Sequence, residues 1–589
     1  TVTGGATITG TCTATAFATS SGQYNTVVGT DAGASFSGTD ASTNTLVGKS
    51  AGNAITTSDY NTALGGYALA ANTTGGSNTA VGTSSLQDNT TASNNTAVGF
   101  QSLYDNTTGN NNTAVGKDAL ELNTTGIQNT AVGSNALDAN TTANNNCAFG
   151  SSSMGANTTG TSNSAYGQGT LAANTTGSSN TAIGQAALEL NTTGSNNVAI
   201  GDDALDENTT ASKNVAVGKN ALASNTTAEE NVAVGYYTLS TNTTGAHNTA
   251  IGTQALHLNT TGTYNVAVGR FALDSNTTGG QNIAIGNWAQ TNSTTASNNV
   301  VVGYNALADC STGSDNVAIG REALKQTTTG QYNTGVGYRA LYANTTASGN
   351  TAIGWGTLDT NTTGAGNTAV GQEALTANTE GLVNTAVGKD CLAANTTGDQ
   401  NTAIGKDAFQ YNTTADNNTG VGYMAGRKNT VGYELTAVGY QALTENTDGD
   451  TSTAVGSAAL ASNTTGNGST AVGREALKYN TTADYNTAVG EQALKQNTTG
   501  YSNTALGHLA GGANTTGFRN TYLGYKCAYQ SETGQYNTGV GENAFQSNTT
   551  GKEQAAFGHA SLNDCTTGSY NAGFGCESLK GVTTGDSNT

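Results

Sequence analysis

Large apolar residues recur in two fixed places along this chain, and polar or small residues fill the rest. From Gly48 to Gly575 a glycine returns at every seventeenth position without slippage, 31 steps in all. With that glycine as position 0, position 16 is apolar, as in Val81, Val98, Ile183, Ile200, Ile251, Ile404 and Phe557. Position 4 is usually Leu (Leu69, Leu86, Leu103, Leu120, Leu137), with Met154, Phe409 and Phe545 as substitutes. Position 3 is small, and position 15 is Ala or Gly in nearly every unit (Ala80, Ala97, Gly335, Gly420). Positions 1, 2, 5, 6, 11 and 12 vary freely and hold nearly all the charge and most tyrosines. The unit Gly65–Val81, GGYALAANTTGGSNTAV, shows the whole pattern.

A fixed short period means one continuous array in place of several globular domains. The spacing predicts two short strands per coil, one over positions 13 to 16 and one centred on positions 3 and 4. Alternation puts Thr 14 and Val 16 on one side of the first strand and Ala 15 on the other. The glycine at 0 frees one turn, and Asn-Thr-Thr-Gly makes the opposite one. A helix is excluded, because Gly, Asn and β-branched Thr fill the gaps between the apolar pairs. The expected fold is all-β, a parallel β-solenoid or β-roll of 17-residue coils. At a strand spacing of about 4.8 Å, its coils would extend over roughly 150 Å.

Each coil offers only one or two large apolar side chains, with Val 16 and Leu 4 expected as the fill. That core is thin against a backbone ordering cost of about 1–2 kcal/mol per residue. A single-chain solenoid also tolerates insertions on one face, and none interrupts the 31 steps. Both points predict a homotrimeric fibre, intertwined or side by side, in which Ala 15 forms a close-packed seam between chains.

Three segments are expected. Residues 1–24 lack the repeat and alternate small polar and apolar residues (Val2, Ile8, Ala14, Ala16), as a β-rich junction or cap would. Residues 25–47 form an irregular first coil, since the step from Gly29 to Gly48 is longer than those that follow. Residues 48–589 are the regular array. The chain starts at Thr1 and stops mid-repeat at Asn588-Thr589, which predicts a segment of a longer polypeptide.

Composition changes this picture little. There is no proline, as expected of a chain whose backbone N–H groups nearly all enter a ladder. The net charge of −20 disfavours nucleic acid and acidic lipid as partners and keeps a long fibre soluble. No apolar run is long enough to span a bilayer. Most of the seven cysteines (Cys12, Cys147, Cys310, Cys391, Cys527, Cys565, Cys576) lie many repeats apart, without a CxxC pair, so no disulfide framework is expected.

Candidate chemistry is sparse. The histidines His247, His257, His508 and His559 lack a ligand pattern. Asp202-Asp203 and Glu229-Glu230 occupy variable positions and read as solvated charge before glycosidase carboxylates. No phosphate-binding glycine motif or calcium nonapeptide occurs. The expectation is no catalytic, cofactor or metal residue, and no cofactor. Asn-Thr-Thr is formally a glycosylation sequon at Asn72, Asn89, Asn106 and onward. It reads instead as a turn, because Asn378-Thr379-Glu380 and Asn446-Thr447-Asp448 keep the Asn and first Thr while losing the sequon. Ice binding wants two threonine columns on one strand face; Thr 8 and Thr 9 are adjacent and would point oppositely.

The units Asn112–Leu120 and Asn180–Leu188, and above all Asn197-Val198-Ala199-Ile200-Gly201-Asp202-Asp203-Ala204 and Asn316–Ala323, resemble the head repeats of trimeric autotransporter adhesins. The resemblance covers residues 25–589 and implies a left-handed parallel β-roll in each chain, three chains side by side and an extracellular binding role. The inserted Asn-Thr-Thr-Gly makes this unit longer than theirs. The opening Thr1–Gly22 is similar to segments of phage tail-fibre proteins, as are long Asn-Thr-Ala-Val-Gly arrays. The expected function is therefore a non-enzymatic phage tail-fibre shaft for host attachment, located on the virion. Its partners would be two further copies of itself, other virion or surface-anchoring proteins, and a cell-surface glycan or protein receptor. The alternative is a bacterial trimeric surface adhesin. An ice-binding protein or a fibre-borne polysaccharide depolymerase comes after both.

Overall fold

The computed structural model describes residues 24–37 and 40–589. Most of the expected 1–24 cap therefore lies outside the described residues. The described chain is all-β, a parallel β-solenoid of 17-residue coils without a helix. It divides into two compact units, one running to Trp288 and including Asn292–Thr295, the other comprising Ala289–Thr291 and Ala296–Thr589. In the first, three-residue strands run from β1 (Thr26–Val28) and β2 (Thr45–Val47) to β16 (Ile283–Ile285). In the second they run from β17 (Val300–Val302) to β33 (Ala572–Phe574). Within each unit successive strands pair in parallel with position on like position, as in Thr79↔Thr96, Ala80↔Ala97 and Val81↔Val98. The longer first coil is absorbed without loss of register, since Thr26 pairs with Thr45.

Two expectations are corrected. The first concerns the strand predicted at positions 3 and 4. Each coil has one strand, and positions 0 to 6 form a run of turns in which residues 2 and 4 are left-handed: Tyr67 (φ 61°), Leu69 (φ 55°), Ser84 (φ 58°) and Leu86 (φ 52°). Position 12 is left-handed too, as in Ser77 (φ 60°). Each such residue costs about 1–2 kcal/mol. The conformation persists because it sends backbone N–H groups to both neighbouring coils. Tyr67 N–H donates to Lys49 O (2.8 Å), while Leu69 N–H donates to Ser85 O (3.0 Å) and Ala71 N–H to Gln87 O (2.9 Å). It also turns the leucine inward, where Leu69, Leu86 and Leu103 are wholly buried.

The second correction inverts the strand. Ala 15 lies inside its own chain's coil, and Ala80, Ala97 and Ala114 are 0% exposed. Ala 15 is thus unable to form a seam between chains. Val 16 does not fill the core. It faces outward with Thr 14. Where position 15 changes size, position 4 compensates. Gly420 and Gly426 make room for Phe409, whose ring atoms lie 2.3–2.7 Å from where their Cβ atoms would stand. Tyr522, buried at position 15, occupies space left by Gly511 at position 4 and hydrogen-bonds Ser531 Oγ at 3.0 Å. Positions 4 and 15 therefore share one core.

Position 0 must be glycine for two reasons. Its φ is far into the positive range, as in Gly65 (+146°), and a Cβ there would stand 2.3 Å from Gly82 O. The corner at positions 7 to 13 is built from buried amides. Asn89 Nδ2 donates to Asn72 Oδ1 (2.8 Å) and to Ala92 O (3.0 Å). Asn78 Nδ2 donates to the same Ala92 carbonyl (2.9 Å), and Asn78 N–H donates to Asn61 Oδ1 (3.0 Å). Thr73 Oγ1 donates to Thr90 O (3.0 Å). Burial of so many polar groups is tolerable because coil-to-coil stacking gives nearly all of them a partner, Asn95 Nδ2 being one exception.

Candidate functional site

Because each coil repeats the last, any site must come from columns of surface residues. The longest is position 16. From Val47 to Phe574 every occupant is Val, Ile, Leu, Phe or, once, Tyr. Many are well exposed, among them Ile251 (41%), Ile404 (41%) and Leu506 (48%). Position 14 beside it is Thr, Val, Ile, Ser, Cys or Ala, so in each unit these two columns carry no charge. Strand propensity alone does not explain the bias. Thr serves a strand as well as Val, yet Thr fills most of position 14 and never position 16.

The second feature is local and lies in the second unit. At position 1, Tyr304, Arg321, Tyr338 and Trp355 follow one another coil by coil. Tyr338 and Trp355 stack with centroids 6.2 Å apart and planes 19° apart, and Arg321 lies 5.7 Å from the Tyr338 ring. Beside Trp355, Gly356 replaces the side chain that position 2 carries in nearly every coil; only Gly169 does the same. The gap opens a shallow cleft of about 260 Å³ between Arg339 and Glu373, with Asp359 and Thr376 on its wall. Arg339 is clamped by Asp359 through Nε–Oδ1 and Nη2–Oδ2 contacts of 3.0 Å each, and lies 4.1 Å from the Tyr342 ring. Asp359 raises the Arg339 pKa further, so the fork stays charged.

Of the residues singled out in the sequence, the structure brings together two separate pairs, His247 with Glu230 and His559 with Cys576. His247 stacks on Tyr264 (4.7 Å) and contacts Glu230 at 3.1 Å, and Glu230 also pairs with Lys213 at 2.8 Å. Asp202 pairs with Lys219 at 2.6 Å. His508 stacks on Tyr525 (5.5 Å), and His559 Nδ1 lies 3.8 Å from Cys576 Sγ. Burial pushes the Cys310, Cys391 and Cys527 thiols up to about 12, so they stay protonated and unreactive at neutral pH. No disulfide joins the six described cysteines, and Cys12 lies outside the described residues. Among the described residues no three His, Cys, Asp or Glu side chains group as metal ligands. None of the described residues forms a helix long and apolar enough to cross a membrane. The sequon asparagines Asn72, Asn89 and Asn106 are 0% exposed, so a glycosyltransferase has no access to them in the folded coil.

Two arrangements escape a reading of the sequence alone. One is the Trp355 cleft, whose only signal is a glycine in a column that otherwise bears side chains. The other is Ser240, His257 and Asp274, which share position 5 on successive coils. Ser240 Oγ lies 2.7 Å from His257 Nδ1, a nucleophile–base contact in outline. The same nitrogen lies 3.3 Å from Tyr237 O, and no hydrogen bond joins His257 to Asp274 among the described residues. Ser240 is also buried. The third group thus fails to orient the base as nucleophilic catalysis requires.

The class that the fold defines is the parallel β-solenoid. No protein-family model matches the chain, and no curated protein is significantly similar to it.

Proposed function

We propose that this chain is the shaft of a homotrimeric attachment fibre of the phage tail-fibre kind, which projects a receptor-binding region. The position-16 column carries the reading. An uncharged apolar stripe on the successive coils of each unit exceeds what a monomer leaves open to water. Covering half of it would remove on the order of 1,000 Å² per chain, the scale of a stable interface. A partner that covers it rung for rung needs the same sequence period, and another copy of this chain has it. The interchain seam then runs along positions 14 and 16. The charged positions 1, 2, 5, 6, 11 and 12 keep the remaining surface in solution.

Light scattering of the purified chain tests the assembly. A mass of three times 58.7 kDa is expected, and a monomeric mass overturns the trimer. Electron microscopy of the full-length protein should give class averages with three lobes down the axis. A second reading, a bacterial surface adhesin of the same architecture, is favoured by the resemblance carried by Asn197–Ala204. Antibody labelling separates the two: decoration of virions supports the first and decoration of intact cells the second.

A further inference from the structure

We infer that the cleft beside Trp355 is a carbohydrate-binding site that takes a neutral pyranose ring. The inference stands on this cleft alone and holds whether or not the chain is a fibre shaft. Trp355 is one of two tryptophans in the chain, and it is 50% exposed at the cleft edge. Its stacking on Tyr338 holds the indole by one side, so its remaining exposed surface is a fixed apolar plane. The C–H face of a sugar ring fits such a surface, while the hydroxyl groups at its rim need donors and acceptors.

The cleft offers both kinds. Arg339 spends two of the five N–H donors of a guanidinium on Asp359, and that clamp removes the entropic cost of fixing the rest. Glu373 supplies an acceptor across the gap, and Thr376 a hydroxyl. The floor is Gly356. A Cβ there would meet only Glu373 Cγ, at 3.7 Å, so the space belongs to no neighbour. The volume of about 260 Å³ is just below the usual range of roughly 300–1,000 Å³ for small-ligand sites, which suits one ring set partly in solvent.

Charge selects among sugars. Arg339 and Asp359 neutralise each other, which leaves Glu373 as the net charge of the cleft, on a chain of net charge −20. Uronic acids, sialic acids and nucleotides are repelled, and neutral hexoses and N-acetylhexosamines are not. This is the pattern of a small-ligand site, an apolar wall with a few placed polar groups.

The test uses the full chain with Trp288→Phe, so that Trp355 is the sole indole reporter. Neutral glycans chosen from an array, then glucose, galactose and N-acetylglucosamine and their oligomers, are titrated against its fluorescence. Saturable quenching or a blue shift is expected. Trp355→Ala, followed by calorimetry, should weaken binding at least tenfold. Gly356→Asn should do the same by filling the floor, since Asn tolerates the left-handed φ of +62°. Glu373→Gln should weaken it a few-fold. Unchanged circular dichroism and melting confirm that the variants fold. The inference is overturned if no neutral glycan shifts the emission. It is also overturned if only anionic sugars or mononucleotides do so, or if folded Gly356→Asn binds as the parent does.

Discussion

The buried asparagine columns at positions 7 and 13 and the outward apolar column at position 16 both persist along most of the chain, for opposite reasons. The asparagines complete their bonding inside one chain. Ala92 O accepts from both Asn78 and Asn89, and coil after coil repeats the arrangement with its neighbours. The valines complete nothing inside the chain, because Ala 15 and Leu 4 already fill the coil. Repetition within one sequence thus records two constraints. One closes the coil, and the other points away from it. Substitutions in the two columns should separate them cleanly, one lowering the stability of the isolated chain and the other its assembly.

The largest effect is expected at position 0, on which both columns depend. Gly371→Ala places a Cβ 2.6 Å from Gly388 O at a φ of +131°. The coil has no rotamer with which to escape, so a local loss of more than about 3 kcal/mol is expected. Hydrogen exchange should show protection collapsing around Val370 and Val387 while distant coils keep theirs, as a repeat array permits.

Next is the asparagine column itself. Asn248 Nδ2 donates to Gly262 O (2.9 Å), and Asn248 Oδ1 accepts Asn265 N–H (2.9 Å). Asn248→Ala leaves the Asn265 N–H buried without a partner, whereas Gly262 O keeps Asn259 Nδ2 at 3.0 Å. Asn265 Nδ2 also loses its 3.2 Å bond to Asn248 Oδ1, and one orphaned donor with two further lost bonds amounts to about 3 kcal/mol. Exchange rates at Asn265 and Val266 should rise by roughly two orders of magnitude by the same arithmetic. Unchanged rates would mean that the ladder is dispensable.

Position 16 should behave in the opposite way. Ile319→Asp, Ile353→Asp and Ile404→Asp, all exposed and no two on neighbouring coils, should each alter single-chain stability by less than about 1 kcal/mol, as exposed substitutions do. They should abolish any trimer by setting charges into the seam. Loss of folding, with no change in oligomeric mass beforehand, would show that Val 16 serves its own coil after all.

The period, the parallel stacking and the absence of helix were legible in the sequence, because they follow from one residue type returning at one spacing. The direction of the strand was not. Alternation sets positions 14 and 16 against 15, but it is silent on which side is inward. Size favoured Val as core and Ala as seam. A coil this small instead has room for one Leu opposite one Ala, and the signal lay in volume compensation: Phe409 with Gly420, Tyr522 with Gly511. The left-handed leucines were illegible for a different reason. Propensity argues against a positive φ for any leucine, Leu69 included, and only stacking on both neighbours overrides it. The Trp355 cleft depends on a residue that is missing, which a pattern of what is present passes over.

The smallest effect concerns the variable columns, where ion pairs decorate a fold that does not need them. Glu475 sits between Lys478 (2.9 Å) and Lys495 (2.7 Å), the second from the next coil. Hydrogen bonds from Lys495 and Lys478 hold its carboxyl down at about 2, below the ordinary 4.5. Because the folded-state pKa is depressed, the stabilisation is complete above pH 4.5 and is lost as the pH falls toward 2. Solvent screening keeps it to about 1 kcal/mol or less. The other carboxylates titrate over the same range, so the difference between the parent and Glu475→Gln isolates this one. Near pH 7 the parent should be slightly more protected from exchange at Glu475 and Gln492. Near pH 2 the two proteins should coincide, and added salt should narrow the gap at pH 7. A gap that persists at pH 2 would place the Glu475 contribution in packing, and the variable columns would then share in closing the coil alongside the asparagines.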